Sequence, residues 1–312
     1  MSGAVEQDGA LIATPARRVA YFVLGPVLPY LLHLRPLEWP IVAAHFSVGW
    51  LVAGGIRAPD GSALLGLLAW VVALNGGTLA LNSAFDRDDG DVAYLRQPPR
   101  IPAGLAWGAA ILILVGGVAT WSLPLSYRAA YFACALMSLL YSVPPFRLKA
   151  VGGVDLVINV LGFGILTAFA GWSISGRPFG GSASLVIWAF CPLFAALYPL
   201  TQLYQMDEDH ARGDRTLVIR LGTRRSLGLA LAATGLAFGL LFGAAWQSGW
   251  RGGGDWPRWA ALTIALAAWL VVLGPWFRDG RRWSSSEHAR GMYHALAAWA
   301  LTDVAVLLGW VV

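Results

Sequence analysis

Charged side chains are scarce in this chain. Asp, Glu, Lys and Arg make up 12% of its 312 residues, about half the share usual in a soluble domain. That scarcity excludes a disordered chain, a coiled coil, a nucleic-acid-binding domain with a basic face and almost any soluble enzyme. Cysteine occurs twice, at Cys134 and Cys191, each inside an apolar run. Neither a disulfide framework nor a thiolate metal site is indicated, and both read as small buried hydrophobes. Lysine is reduced to Lys149; every other basic residue is Arg. The segment from Met1 to Ala16 is polar and slightly acidic. It lacks the basic, apolar and small-residue succession of a cleaved signal peptide. No internal repeat is visible, which argues against a repeat-built transporter.

Apolar residues are abundant. They form 57% of the chain, and the mean hydropathy is +0.61. A transmembrane helix needs ~20 such residues, so nine helices use ~180, close to the whole apolar inventory. The arithmetic predicts an all-α polytopic membrane protein with short loops. Nine apolar stretches fit, near 38–55, 62–86, 104–122, 125–143, 152–172, 184–206, 226–248, 256–277 and 290–312. A further one, 17–34, opens with Arg17 and Arg18 and is interrupted by Pro26 and Pro29. It reads as a kinked interfacial helix. The chain thus divides into a polar tail (1–16), an interfacial helix (17–34) and a nine-helix domain (35–312). Several of the 16 Trp residues, including Trp39, Trp107, Trp172, Trp256, Trp276 and Trp310, fall near span ends, as interfacial anchors do.

Nine spans put the loops on two sides. Seventeen basic residues fall on the side of the loops near 87–103, 144–151, 207–225 and 278–290, against five on the other. The rich side is expected to be cytoplasmic and the C-terminus to lie opposite, in the cell membrane. The net charge of +5 then reflects topology. The bilayer, not nucleic acid, is the expected partner.

The same side holds two acidic clusters. Asp86, Asp88, Asp89 and Asp91 follow the second span; Asp207, Glu208, Asp209 and Asp214 follow the sixth. Acidic residues contribute little to orientation, so these clusters ask for a cation. At about 100° per residue, Asn82, Asp86 and Asp89 share one helical face, as do Gln202, Gln205 and Asp209. Oxygen ligands one turn apart suit Mg²⁺, which takes one or two carboxylates and completes its shell with water and phosphate. Arg96, Arg100, Arg147, Lys149 and Arg215 lie nearby in sequence to clamp an anionic substrate.

These residues resemble a known family. Asn82-x3-Asp86 followed by Arg100-Ile-Pro102-Ala-Gly104 is similar to the first motif of the UbiA superfamily of intramembrane prenyltransferases. Tyr141-Ser142-Val-Pro144-Pro145-Phe-Arg147-Leu-Lys149 resembles that family's loop, and Asp207-Glu208-Asp209-x4-Asp214-Arg-Thr216-Leu resembles its second acidic motif. Arg35-Pro36 and Trp39 resemble its N-terminal segment. Two positions depart from the pattern. Gly90 stands where a second Asp is usual, with Asp89 and Asp91 beside it, and Gln205 stands where the second motif has Asp.

The resemblance implies nine helices around a cavity. It also implies Mg²⁺-dependent ionisation of an isoprenyl diphosphate and transfer of the prenyl group to an acceptor, here unidentified. It places Asn82, Asp86 and Asp209 as metal or diphosphate ligands; Asp89, on the same helical face, is the substitute metal ligand for the position held by Gly90, and Asn82, Asp86, Asp209 and Lys149 are the catalytic candidates. Arg35, Arg100, Arg147, Tyr141, Gln205 and Arg215 fall to substrate binding. The alternative within the family is a terpene cyclase that acts without a second substrate. Candidate rings to stabilise the allylic cation are Trp70, Phe85, Tyr141, Phe163, Trp188, Tyr198 and Tyr204.

Overall fold

A computed structural model describes residues 14–56, 58–86, 91–92, 94–211 and 213–312, the side chain of Glu208 excepted. Among the described residues the chain is helical, with two isolated β-bridges and no strand. Asp88, Asp89 and Gly90 of the first acidic cluster lie outside the described residues, as do Arg87 and Arg212.

The N-terminal segment forms α1 (Pro15–Leu24), a short 3-10 turn at Gly25–Val27 and α2 (Leu28–His33). The break has a local cause. Pro26 offers no backbone N–H, and Gly25 takes φ 51°, which glycine adopts without a Cβ clash. Val19, Phe22 and Val23 on α1 are exposed. The Arg17 guanidinium donates to the carbonyls of Arg96 (2.6 Å) and Gln97 (3.0 Å), tying α1 to the loop after α4.

Nine longer helices follow among the described residues. They are α3 (Trp39–Gly54), α4 (Gly61–Asp86), α5 (Leu105–Ala119), α6 (Leu125–Ser142), α7 (Val154–Ile174), α8 (Gly181–Leu203), α11 (Thr223–Gln247), α12 (Trp256–Asp279) and α13 (Ser285–Trp310). Short α9 (Met206–Ala211) and α10 (Leu217–Leu221) lie between α8 and α11. Six of the long helices (α4, α7, α8, α11, α12 and α13) are long and apolar enough to cross a membrane. Helices α3 and α5 have 16 and 15 residues, about 22–24 Å of rise against a hydrocarbon core of ~30 Å. Helix α6 has 18 residues but carries Ser126, Tyr127 and Arg128 in its first turn. The apolar runs of the sequence are longer than these helices because part of each run is turn. Gly55, for instance, ends α3 at φ 71°. At the other end, the turn Arg35–Glu38 precedes α3, with Glu38 N–H donating to Arg35 O at 2.9 Å, so Glu38 stands outside the helix.

Two apolar clusters hold the bundle. One gathers α4, α5 and α6 around Trp70, Tyr127 and Tyr131; the other gathers α8, α11, α12 and α13 around Phe190, Trp269, Trp276 and Trp299. Helices α3 and α7 join them at close range. A methyl group on Gly49 would collide with the carbonyl of Ala168, and one on Gly171 with that of Phe46. Small residues permit such backbone contact where lipid supplies no hydrophobic drive between helices. Helices α4 and α7 each contain a π-helical stretch, Ala69–Gly76 and Val160–Leu166. Such widened turns often sit at functional sites. The two are linked by Trp70 Nε1, which donates to Thr167 Oγ1 at 3.2 Å.

Candidate active site

A cavity of about 280 Å³ opens where the ends of α4 and α8 meet the α6–α7 connection. Asn82 and Asp86, one turn apart at the end of α4, both line it. Asn82 Oδ1 accepts a hydrogen bond from Ser142 Oγ, at the last residue of α6. That bond fixes the amide with its oxygen side engaged.

The α6–α7 connection carries the basic residues. Arg147 takes φ 38°, in the left-handed region, and a single 3-10 turn (Leu148–Ala150) follows. This reversal sends neighbouring side chains to different partners. Lys149 Nζ is ion-paired with Asp86 Oδ1, and Arg147 Nη1 lies 3.0 Å from Asp214 Oδ1. The next residues pair with the loop after α9. Gly152 N–H donates to Arg215 O (2.9 Å), and Arg215 N–H to Ala150 O (3.3 Å). Only glycine fits at 152, since a Cβ there would press on Arg215 O and the Arg220 side chain.

Asp155, fully buried in the first turn of α7, binds these loops together. Its Oδ1 accepts from the N–H groups of Gly153 (2.6 Å) and Leu156 (2.8 Å). Its Oδ2 accepts from Gln202 Nε2 (2.8 Å) and Leu217 N–H (3.3 Å). Gln202 Oε1 in turn accepts from Val218 N–H at 3.3 Å. The Tyr141 and Tyr198 hydroxyls lie 3.1 Å apart, and Gln202 Nε2 is 3.0 Å from the latter. Beyond α8, Gln205 O accepts from Asp209 N–H (2.9 Å) and Asp209 O from Asp214 N–H (3.0 Å). Asp209 and Asp214 are both buried and both line the cavity.

The structure therefore brings Asn82, Asp86, Tyr141, Lys149, Gln205, Asp209 and Arg35 to one cavity wall. Arg147 reaches that wall through Asp214. Arg100 and Arg215 are exposed and do not line the cavity, Arg215 contributing through its backbone. Of the candidate rings, Tyr141, Phe163, Tyr198 and Tyr204 line it; Trp70 lines an adjoining cavity, and Trp188 is exposed on the bundle's outside.

Sequence reading passed over Glu38, Tyr94 and Asp155. Asp155 carried a signal, being an acid just inside an apolar stretch, where ionisable residues are expensive and usually paired. Glu38 beside Arg35 carried the same signal. Burial pushes the Glu38 carboxyl up to about 7, against the pull of nearby Arg35. Tyr94 is also pushed up, by burial first and then by Glu38. A second buried pair, His45 Nδ1 and Asp303 Oδ1 at 3.8 Å, joins α3 to α13 behind Trp299.

Among the described residues the wall carries four carboxyls, Glu38, Asp86, Asp209 and Asp214, and two cations, Arg35 and Lys149. No three His, Cys, Asp or Glu converge on a point among the described residues. The donors present are hard oxygens: two carboxylates and an amide from Asp86, Asp209 and Asn82. They fit an ion that keeps water and takes phosphate oxygens from its substrate. Away from this polar end, the cavity runs between Ile41, Phe163, Phe194, Leu197, Met292, Leu296 and Trp299.

The model of the UbiA prenyltransferase family matches residues 37–297. The chain belongs to that family. As a UbiA protein it is a multi-pass intramembrane prenyltransferase. It is 28% identical over 214 residues to the digeranylgeranylglyceryl phosphate synthase of Natronomonas pharaonis, covering 63% of this chain and 70% of that one. Its fold is similar to that of a UbiA homologue from Archaeoglobus fulgidus bound to DMAPP and Mg²⁺, with a TM-score of 0.65 and 20% identity over 88% of this chain and 99% of that one. The apo UbiA homologue from Aeropyrum pernix is likewise similar, with a TM-score of 0.62 and 16% identity over 87% and 98%.

Proposed function

We propose that the chain is a Mg²⁺-dependent prenyltransferase that ionises an isoprenyl diphosphate at the polar end of the larger cavity and passes the prenyl group to a lipophilic or aromatic acceptor. The observation that carries this reading is the placement of Asp86, Asp209, Asn82 and Lys149 on one wall, at the mouth of an apolar channel. The A. fulgidus homologue holds DMAPP and Mg²⁺, which supports the same ligands here.

Asn82, Asp86 and Asp209 would hold Mg²⁺, with Asp89 as a further ligand. The ion supplies charge neutralisation for the departing diphosphate. Lys149 and Arg35 hold phosphate oxygens. Lys149 does so by exchanging its partner Asp86 for the substrate. Arg147 positions Asp214, while Tyr141 and Gln205 line the substrate chamber. Arg100 and Arg215, both exposed, draw the anion in. The C1–O bond breaks with its electron pair leaving on the diphosphate, and the allylic cation stays dry among Phe163, Phe194 and Trp299.

Helices α3, α5 and α6 complete nine crossings, over a domain of residues 35–312, while residues 17–34 lie at the interface behind the polar tail 1–16. The site faces the cytoplasm, with the C-terminus opposite. The excess of basic residues on that side supports this orientation.

The test feeds radiolabelled geranyl and geranylgeranyl diphosphate with Mg²⁺ to membranes containing the protein and identifies products by mass spectrometry. Prenylated acceptor is the expected product. A cyclic hydrocarbon formed without any acceptor would contradict transfer.

A further inference from the structure

A second cavity, of about 150 Å³, branches from the first. Glu38, Leu79, Asn82, Tyr141, Asn159 and Phe163 line both. From that shared wall the branch runs between α4, α6 and α7 to Trp70, twelve residues or about 18 Å along α4 from Asn82.

The two arms differ in chemistry. The larger ends in side chains without hydrogen-bonding groups apart from the Trp299 indole. The branch is apolar along Leu74, Met137 and Ile158, but Asn75, Thr78, Ser138 and Thr167 also line it. Thr78 and Ser138 bond each other at 2.6 Å, and Thr167 accepts from Trp70. Asn75 Nδ2, however, is buried without a hydrogen-bond partner. A desolvated donor left unpaired costs ~1–3 kcal/mol, and here it points to an acceptor atom on a ligand. Glu38 is the one carboxyl among the described residues that lines both arms.

We propose that the branch is the acceptor's site, that it takes a hydroxylated head (an alcohol or a phenol), and that Glu38 at the junction accepts the proton this hydroxyl loses. The inference rests on the prenyl-transfer reading. In the step, the C1–O bond to diphosphate breaks and its pair leaves with the diphosphate. A lone pair of the acceptor oxygen forms the new bond to C1, and the O–H proton passes to the Glu38 carboxylate. Asn75 donates to a second oxygen of the same head.

The experiment supplies geranylgeranyl diphosphate and Mg²⁺ with two probes, 4-methylphenol and 1-O-hexadecylglycerol, and compares wild type with Glu38→Gln and Asn75→Leu. Wild type is expected to prenylate at least one probe, and which one separates phenol from alcohol. Glu38→Gln should lower kcat for that probe ~100-fold while binding geranylgeranyl thiolodiphosphate as wild type does. Asn75→Leu should raise the probe's KM about tenfold and leave that of the diphosphate unchanged. Prenylation of neither probe overturns the inference. So does wild-type transfer by Glu38→Gln, loss of thiolodiphosphate binding in that variant, or an Asn75→Leu effect on the diphosphate instead of the probe. Release of diphosphate from the prenyl substrate, measured in the same samples, separates the two levels. If it persists while the probes stay unmodified, only the branch assignment fails; if it is absent throughout, both readings fail.

Discussion

Lys149 is ion-paired with Asp86 across the mouth of the larger cavity. The sole lysine of the chain thus neutralises a carboxylate at the end of α4, and both side chains are largely buried there. A compact ammonium can leave that carboxylate for a phosphate oxygen, whereas the planar fork of arginine does not occupy the same space. Lys149→Ala should raise the KM for geranylgeranyl diphosphate ~10–100-fold, and Lys149→Arg should not restore it. Steady-state kinetics over a substrate series checks both.

Asp155 gives a stability prediction separable from the chemistry. Asp155→Ala strands the N–H groups of Gly153 and Leu156 and the amide of Gln202. Each unpaired buried donor costs ~1–3 kcal/mol, so the variant should unfold at clearly lower temperature in detergent. Activity should fall with it, because the α6–α7 connection and the α8–α10 segment lose their common partner. Asp155→Asn, which keeps an accepting oxygen, should lose less.

The Glu38 carboxyl, raised to about 7 by burial, has two consequences with definite signs. It favours the protonated form in the folded protein. Its contribution to stability is therefore full below the ordinary carboxylate range and is lost as pH rises toward about 7. Transfer, by contrast, needs the ionised form, so kcat should rise with pH through about 7. Arg35, Tyr94, Tyr141, Asp86, Lys149, Asp209 and Asp214 share the cavity wall. Only an inflection that disappears in Glu38→Gln belongs to Glu38.

Helix contact at Gly49 and Gly171 sets a packing prediction. Gly171→Leu would drive a side chain into the backbone of α3 at Phe46. Gly235, with nothing near its Cβ position, should accept the same substitution. Yield of monodisperse protein after solubilisation should separate the two variants.

Much of this architecture was legible in the sequence, for physical reasons. Apolar runs long enough to span a bilayer leave helix as the main choice, and Asn82 and Asp86, one turn apart at a span's end, line the polar mouth. The family's loop around Arg147 and Lys149 was readable, but its partners were not. Nothing in the spacing says that Lys149 turns to Asp86 and Arg147 to Asp214, because that depends on the left-handed backbone at Arg147. Asp155 and Glu38 stand outside the acidic clusters, and their roles arise from single acids meeting distant elements, which spacing does not show. The branch cavity has no sequence signature. It depends on how α4, α6 and α7 pack; Asn75 and Asn159, polar within spans, are legible only as residues that either line a cavity or bond between helices. Helix lengths were overestimated for α3 and α5, since apolar composition continues into their terminal turns.

The most direct test of the central claim measures release of diphosphate from geranylgeranyl diphosphate by the purified protein in lipid, as Mg²⁺ is titrated, for wild type, Asp86→Ala and Asp209→Ala. Wild type should depend on the ion and stop on chelation, and each variant should lose ~100–1,000-fold. Undiminished release in either variant, or in the presence of a chelator, would contradict the account.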